Sequence, residues 1–212
     1  MFDLFCKQGG AGMGYHRAGF DVIGVDVEPQ PRYPFEFVQA DAMQVLTFLA
    51  EDAEPWPGAP SPDAIHASPP CKTFTRTGWS YRYGYHERHS DLLTPARYLL
   101  RRQRRPWVIE NVPGAPMRPD LKLCGCVVGL PELERERWFE FSQPVFDLRQ
   151  SCARRERTIS PRGNTHYKGE AIDWARAMSI DWMNAEGLSQ AIPPAYTEIV
   201  GKHLLDALAK VA

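Results

Sequence analysis

Five short apolar runs, most of them followed by a helical stretch, constrain this chain more than any other feature. Met1 to Phe5, Asp21 to Val25, Phe35 to Val38, Asp63 to Ala67 and Trp107 to Ile109 read as strands. Gly9 to Ala18, Ala42 to Ala50 and Asp91 to Arg102 read as helices between them. Alternation of this kind predicts an α/β fold with a doubly wound, mostly parallel sheet and right-handed crossovers. Pro55, Pro57, Pro60 and Pro62 deny their segment a helical hydrogen-bond ladder, so Glu54 to Pro62 is loop. Further on, Arg137 to Phe141 reads as a strand in a more antiparallel region and Ile199 to Lys210 as a closing helix. No internal repeat or second domain is evident, and 212 residues suffice for one domain with a real core.

In a parallel sheet, consecutive strand ends open onto one crevice, so the residues just after each apolar run are the place to look for chemistry. After the first run comes Cys6-Lys7-Gln8-Gly9-Gly10-Ala11-Gly12-Met13-Gly14. Glycines at such a turn let the backbone approach a ligand, and the helix N-terminus favours a negative group. After the second run, Asp26 or Glu28 is placed to accept from ribose hydroxyls, and Asp41 after the third from an exocyclic amine. Those three features together suggest an adenosine-containing cofactor. The fourth run ends in Ser68-Pro69-Pro70-Cys71 and the fifth in Glu110-Asn111-Val112. A thiol and a carboxylic acid would therefore face the same ligand, the pairing needed to attack an electron-poor ring.

Composition narrows the class only where it touches redox state and partners. Five cysteines at irregular spacing argue against a disulfide framework and for a reducing, cytoplasmic setting. No apolar run approaches ~18 residues and no signal-peptide pattern opens the chain, so no membrane role is expected. Cys124-Gly125-Cys126 with Cys152 and His166 lacks a CxxC pair, and no metal is expected. Arginines crowd two segments, Arg97 to Arg105 and Arg149 to Arg162, while Glu132, Glu134, Glu136 and Glu140 gather elsewhere. Such clusters either track a phosphate backbone or form solvated surface.

The chain resembles the DNA cytosine-5 methyltransferases, which use S-adenosylmethionine. Asp3-Leu4-Phe5 with Gly9-Gly10, Ser68-Pro69-Pro70-Cys71, Glu110-Asn111-Val112, Arg135-Glu136-Arg137 before Trp138-Phe139, and the tail Gln190-Ala191-Ile192-Pro193-Pro194-Ala195-Tyr196 carry the likeness. They occur in the family's order and span nearly the whole chain. The resemblance implies a class I S-adenosylmethionine-dependent methyltransferase fold, a single catalytic domain over 1–212, and DNA as partner. It makes Cys71 the nucleophile for carbon 6 of cytosine and Glu110 the acid at ring nitrogen 3, with Arg135 and Arg137 beside them. Phe5, Lys7, Gly9, Gly10, Asp26, Glu28, Asp41 and Pro69 would line the cofactor. Asn111, Lys72, Arg82 and Tyr83 would serve the substrate side, with Asn111 bracing the loop. A free thiol titrates near 8.5, so the site is expected to favour the thiolate through a neighbouring arginine.

Departures from the family pattern sharpen the expectations. Lys7 stands where family members usually carry glycine, Lys72 where they carry glutamine, and Leu133 where the paired-arginine motif begins with glutamine. Lys7 would point to solvent, to a phosphate, or to an extra carboxylate on a modified cofactor. Lys72 would lower the thiol pKa or contact the target phosphate. Only a reduced substrate-contacting segment, around 142–187, stands where the family has a recognition domain, much as in small bacteriophage-encoded enzymes. Base contacts would then fall to the loop from Arg76 to His89, with Trp79, Tyr81, Tyr83 and Tyr85, and to Ser151 to Tyr167. Those aromatics would stack on bases or form a lid over a small substrate. Short or relaxed sequence specificity follows. RNA or a free nucleotide as substrate, and an inactive binding relative, are the other classes.

Overall fold

The structure, a computed structural model, describes residues 1–71, 74, 91–143, 158–161 and 169–209. Within them, seven strands form one sheet flanked by helices on both faces. In chain order the elements are β1 (Phe2–Leu4), α1 (Gly10–Ala18), β2 (Ile23–Asp26), β3 (Glu36–Gln39), α2 (Ala42–Ala50), β4 (Ile65–Ala67) and α3 (Leu93–Arg102). There follow β5 (Trp107–Asn111), β6 (Leu121–Leu123), a 3-10 turn at Gly125–Val127, β7 (Arg137–Phe141), α4 (Ala171–Met178), α5 (Ala185–Gln190) and α6 (Pro194–Ala209). The sheet order is β3-β2-β1-β4-β5-β7-β6. Every pair from β3 to β5 is parallel, whereas β7 pairs antiparallel with both β5 and β6.

Strand order reverses between β1 and β4. From β1 the chain winds outward to β2 and β3; from β4 it winds the other way to β5. The C-terminal ends of β1 and β4 therefore frame the crevice where ligands bind in open α/β sheets. Side chains alternate across the sheet, as strand geometry requires. Trp107 and Ile109 join the core under α2 and α3, with Leu46, Leu93 and Leu100. Val108 joins the opposite core under α1 and α6, with Tyr15, Phe139, Tyr196 and Val200. A smaller third cluster gathers Leu133, Ile159, Met178, Ile180 and Leu188 around α4 and α5.

Element ends are set by local chemistry. Asp41 accepts from the Met43 N–H at 2.8 Å and so caps α2. Gly19, at φ 115°, closes α1 with its N–H on Tyr15 and His16 carbonyls. The closing helix begins at Pro194, five residues before the expected Ile199, because proline is pre-organised for a first helical turn. Strand β6 and helices α4 and α5 were not expected from the alternation. The proline-rich stretch from Glu54 to Pro62 forms neither helix nor strand.

Candidate active site at the ends of strands four and five

Two strands place the chemical groups. Cys71 follows β4 by four residues and Glu110 is the penultimate residue of β5, beside β4 in register. Burial raises the Cys71 thiol pKa; Arg137 and Arg135 pull it down and Glu110 adds to the rise. These four groups thus share one electrostatic neighbourhood. The net direction corrects the expectation of a thiolate-favouring site: desolvation outweighs both arginines in the free protein.

Glu110 is 5 % exposed, and burial pushes its carboxyl up to about 7, against the charges of Arg137 and Arg135. Its Oε1 lies 2.9 Å from Arg137 Nε. The contact is a buried ion pair rather than a directed hydrogen bond. Arg137 Nη1 donates to the Glu136 carbonyl at 2.8 Å. Arg135 is buried, not paired on the surface with Glu134 or Glu136; its Nη2 donates to the Ser189 carbonyl at 3.0 Å and its Nε has no partner among the described residues. Burial, then repulsion from Arg137, lowers its pKa to about 9. Tyr196 of α6 fixes the Arg135 backbone, its hydroxyl donating to the Arg135 carbonyl at 2.7 Å.

Asn111 holds the segment that leads to Cys71. Fully buried, it donates from Nδ2 to the Pro69 carbonyl at 3.0 Å and accepts the Val112 N–H on Oδ1 at 2.9 Å. Both polar ends of the side chain reach backbone, which braces the segment. Pro69 is buried beneath this bond.

The other end of the crevice is built on the turn after β1. Phe5 and Lys7 adopt left-handed backbones, φ 61° and 45°, and Gly9 has φ 83°. Asp26 is buried and accepts backbone N–H groups on both oxygens, from Lys7 at 3.1 Å and Glu28 at 3.0 Å. Lys7 Nζ donates to Glu28 Oε2 at 2.6 Å and lies 3.6 Å from Asp26 Oδ1. Its ammonium is turned to these two acids. Val27, between the acids, is 64 % exposed.

Protein packing by itself requires glycine at two positions of the turn. A Cβ at Gly9 would meet Pro34 Cδ at 2.7 Å, and one at Gly10 would collide with the Ile192 carbonyl. Asp41 is likewise committed in part, through Oδ1, to capping α2. Beneath α1, Asp3 is fully buried; it accepts from Tyr33 Oη at 3.1 Å, and burial raises its pKa to about 7.

Sequence reading missed the contacts that come from far along the chain. Trp182 Nε1 donates to the Gln8 carbonyl at 2.8 Å, and Gln8 Nε2 donates to Asn184 Oδ1 at 2.9 Å. No local pattern marks residues 174 and 176 positions away. Val27 had a signal: an exposed apolar residue directly after a strand-end acid. Lys72, Arg82, Tyr83, the loop from Arg76 to His89, most of Ser151 to Tyr167, and Cys152 and His166 lie outside the described residues. Among the described residues no His, Cys, Asp or Glu group is arranged to hold a metal, and no helix is long and apolar enough to cross a membrane.

No family model and no curated protein matches the chain. Solved structures do. A Dnmt2 methyltransferase of S. pombe aligns over 98% of both chains, with TM-score 0.57 and 13% identity. The Entamoeba histolytica methyltransferase EhMeth aligns over 98% of both, with TM-score 0.57 and 11% identity. A prophage-encoded E. coli protein described as a DNA modification methyltransferase is 24% identical over 66% of this chain; this chain spans 44% of that protein, and the TM-score of 0.44 has no bearing on the fold. These two alignments show that the chain shares the doubly wound α/β fold of those methyltransferases.

Proposed function

We propose that this chain transfers a methyl group from S-adenosylmethionine to carbon 5 of cytosine in DNA through a covalent Cys71 adduct. The observation that carries the reading is the convergence of Cys71, Glu110, Arg135 and Arg137 at adjoining strand ends, with the buried Glu110 carboxyl pushed up to about 7 although Arg137 Nε lies 2.9 Å away. A carboxyl whose titration burial shifts this far beside specific charges marks a candidate functional site. DNA as the substrate is supported by the motif order; fold alone does not choose it.

S-adenosylmethionine suits the donor set at the other end of the crevice. Glu28 and Asp26 offer carboxylates to ribose hydroxyls, and exposed Val27 offers an apolar face to adenine. Bound there, the cofactor supplies an electrophilic methyl group. The chain's own residues do the rest. Cys71 as thiolate adds to carbon 6 of the ring while protonated Glu110 donates to nitrogen 3, and carbon 5 becomes nucleophilic. Arg137 and Arg135 steady the carboxyl and favour the thiolate against desolvation. After carbon 5 takes the methyl group, a water molecule acting as base removes the carbon 5 proton. The electron pair of that bond restores the double bond and expels the Cys71 sulfur, and Glu110 takes back the nitrogen 3 proton.

Trapping on 5-fluorocytosine tests this reading, because fluorine at carbon 5 cannot leave as a proton does. With S-adenosylmethionine present, a DNA oligonucleotide carrying that base should give a denaturation-resistant adduct, absent in Cys71→Ala. Adduct formation only on RNA or on free nucleotides would move the substrate class. S-adenosylmethionine binding with no adduct on any of the three would leave only an inactive relative.

A further inference from the structure

Lys7 has a conformation that a lysine adopts only at a cost. At φ 45° its Cβ crowds the backbone in the left-handed region, a strain glycine would avoid. Strained backbone persists where the surroundings enforce it and gathers at ligand clamps and switches. The strain at Lys7 puts its ammonium 2.6 Å from Glu28 Oε2 and 3.6 Å from Asp26 Oδ1, at the end of the crevice that offers carboxylates to a nucleoside.

We propose that Lys7 is a specificity-determining residue: its ammonium is a built-in occupant of the ribose-binding carboxylates, and a nucleoside diol must displace it to bind. The inference rests on the methyltransferase reading of the crevice and adds to it a competitor within the chain. Lys7 brings three N–H donors and no acceptor. A ribose diol is also a donor toward carboxylate oxygens, so the two compete for the same lone pairs. Asp26, held by the Lys7 and Glu28 backbone N–H groups, cannot turn away to serve both. Glu28, with a side chain 68% exposed, is the arm that must change partner.

The displaced contact is half-exposed, at 38% for Lys7, so the pair is weak and salt loosens it. Two consequences separate this arrangement from a lysine that helps to bind the ligand. Adenosine is uncharged and carries the diol; its affinity for the intact chain should rise about three- to fivefold between 20 mM and 500 mM KCl, as screening frees the acids. Without the lysine that rise should vanish.

Calorimetric titration of the full-length chain with adenosine, 2′,3′-dideoxyadenosine and S-adenosylhomocysteine at both salt concentrations is the test. Lys7→Met should bind adenosine and S-adenosylhomocysteine about fivefold more tightly at low salt and lose the salt response for adenosine. Lys7→Gly, which also relieves the left-handed strain, should do the same. Dideoxyadenosine, lacking the diol, should show neither effect. Weaker or unchanged adenosine binding in both variants, or affinity of the intact chain that falls with salt, overturns the proposal while leaving the methyltransferase reading in place. Failure of the intact chain to bind S-adenosylhomocysteine under any of these conditions overturns both.

Discussion

Glu110 and Cys71 titrate in a way that makes the chemistry testable by pH alone. Burial raises both: the carboxyl to about 7 and the thiol above its ordinary value. The proposed adduct needs the carboxyl protonated and the sulfur ionised. Below pH 7 Glu110 holds its proton, and each unit of pH multiplies the thiolate fraction by about ten, as simple titration dictates. Above pH 7 each further gain in thiolate is cancelled by the loss of protonated Glu110. Adduct formation on 5-fluorocytosine DNA, followed by rapid quench, should therefore climb to about pH 7 and then level off. Glu110→Gln should be slower by about 10²–10⁴, the usual worth of a general acid, and should go on climbing past pH 7. A plateau that survives in Glu110→Gln would show that another group sets it.

At the scale of elements, the arginine-rich helix α3 is largely a clamp. Arg97 and Arg101 turn inward to Glu140 of β7, which is fully buried; Arg97 Nε sits 2.8 Å from Oε2 and Arg101 Nη2 3.0 Å from Oε1. The Arg118 backbone N–H donates to the same carboxylate at 2.9 Å. Of the other arginines there, Arg102 lies over the Tyr98 ring and Arg105 reaches Asp52 and Ser61. Charge spacing in the sequence left phosphate tracking open, because it cannot tell a cation facing solvent from one aimed at a buried acid. Replacing Arg97 and Arg101 together by methionine leaves Glu140 buried with one donor. That should cost about 3–5 kcal/mol in urea unfolding, the scale of breaking a buried pair. A loss below about 1 kcal/mol would return both arginines to the surface.

Across the whole molecule, the fold closes where the chain's last helix lies on its first. Thr197 Oγ1 of α6 donates to the Ala11 carbonyl at 2.9 Å, across 186 residues. A Cβ on Gly14 would collide with Thr197 Oγ1 and the Pro194 carbonyl, and one on Gly201 would lie 2.6 Å from Ala18 Cβ. Contact that close tolerates no added methyl group without backbone movement. Gly14→Ala should therefore destabilise by about 2–3 kcal/mol in thermal or urea unfolding, the upper part of the overpacking range. Unchanged stability would mean that α1 and α6 separate more easily than this packing implies. Because the turn after β1 leads into α1, the same contact ties that turn to the last described helix.

Local periodicity and turn chemistry were enough to read the strand-helix alternation, the parallel sheet and the strand-end positions of Cys71, Glu110, Asp26 and Glu28. These depend on neighbours within a few residues, where sequence and geometry are coupled directly. Short elements without that signal, such as β6 and α5, escaped because three to six residues exist only by packing on something distant. Tertiary structure alone decided how each group is spent: Asn111 on Pro69, Lys7 on Glu28, Glu140 on two arginines, and the turn glycines on Ile192 and Pro34. It also decided that burial raises the Cys71 thiol despite two arginines. Desolvation and partner choice are sums over surroundings brought together from the whole chain, and no window of the sequence contains them.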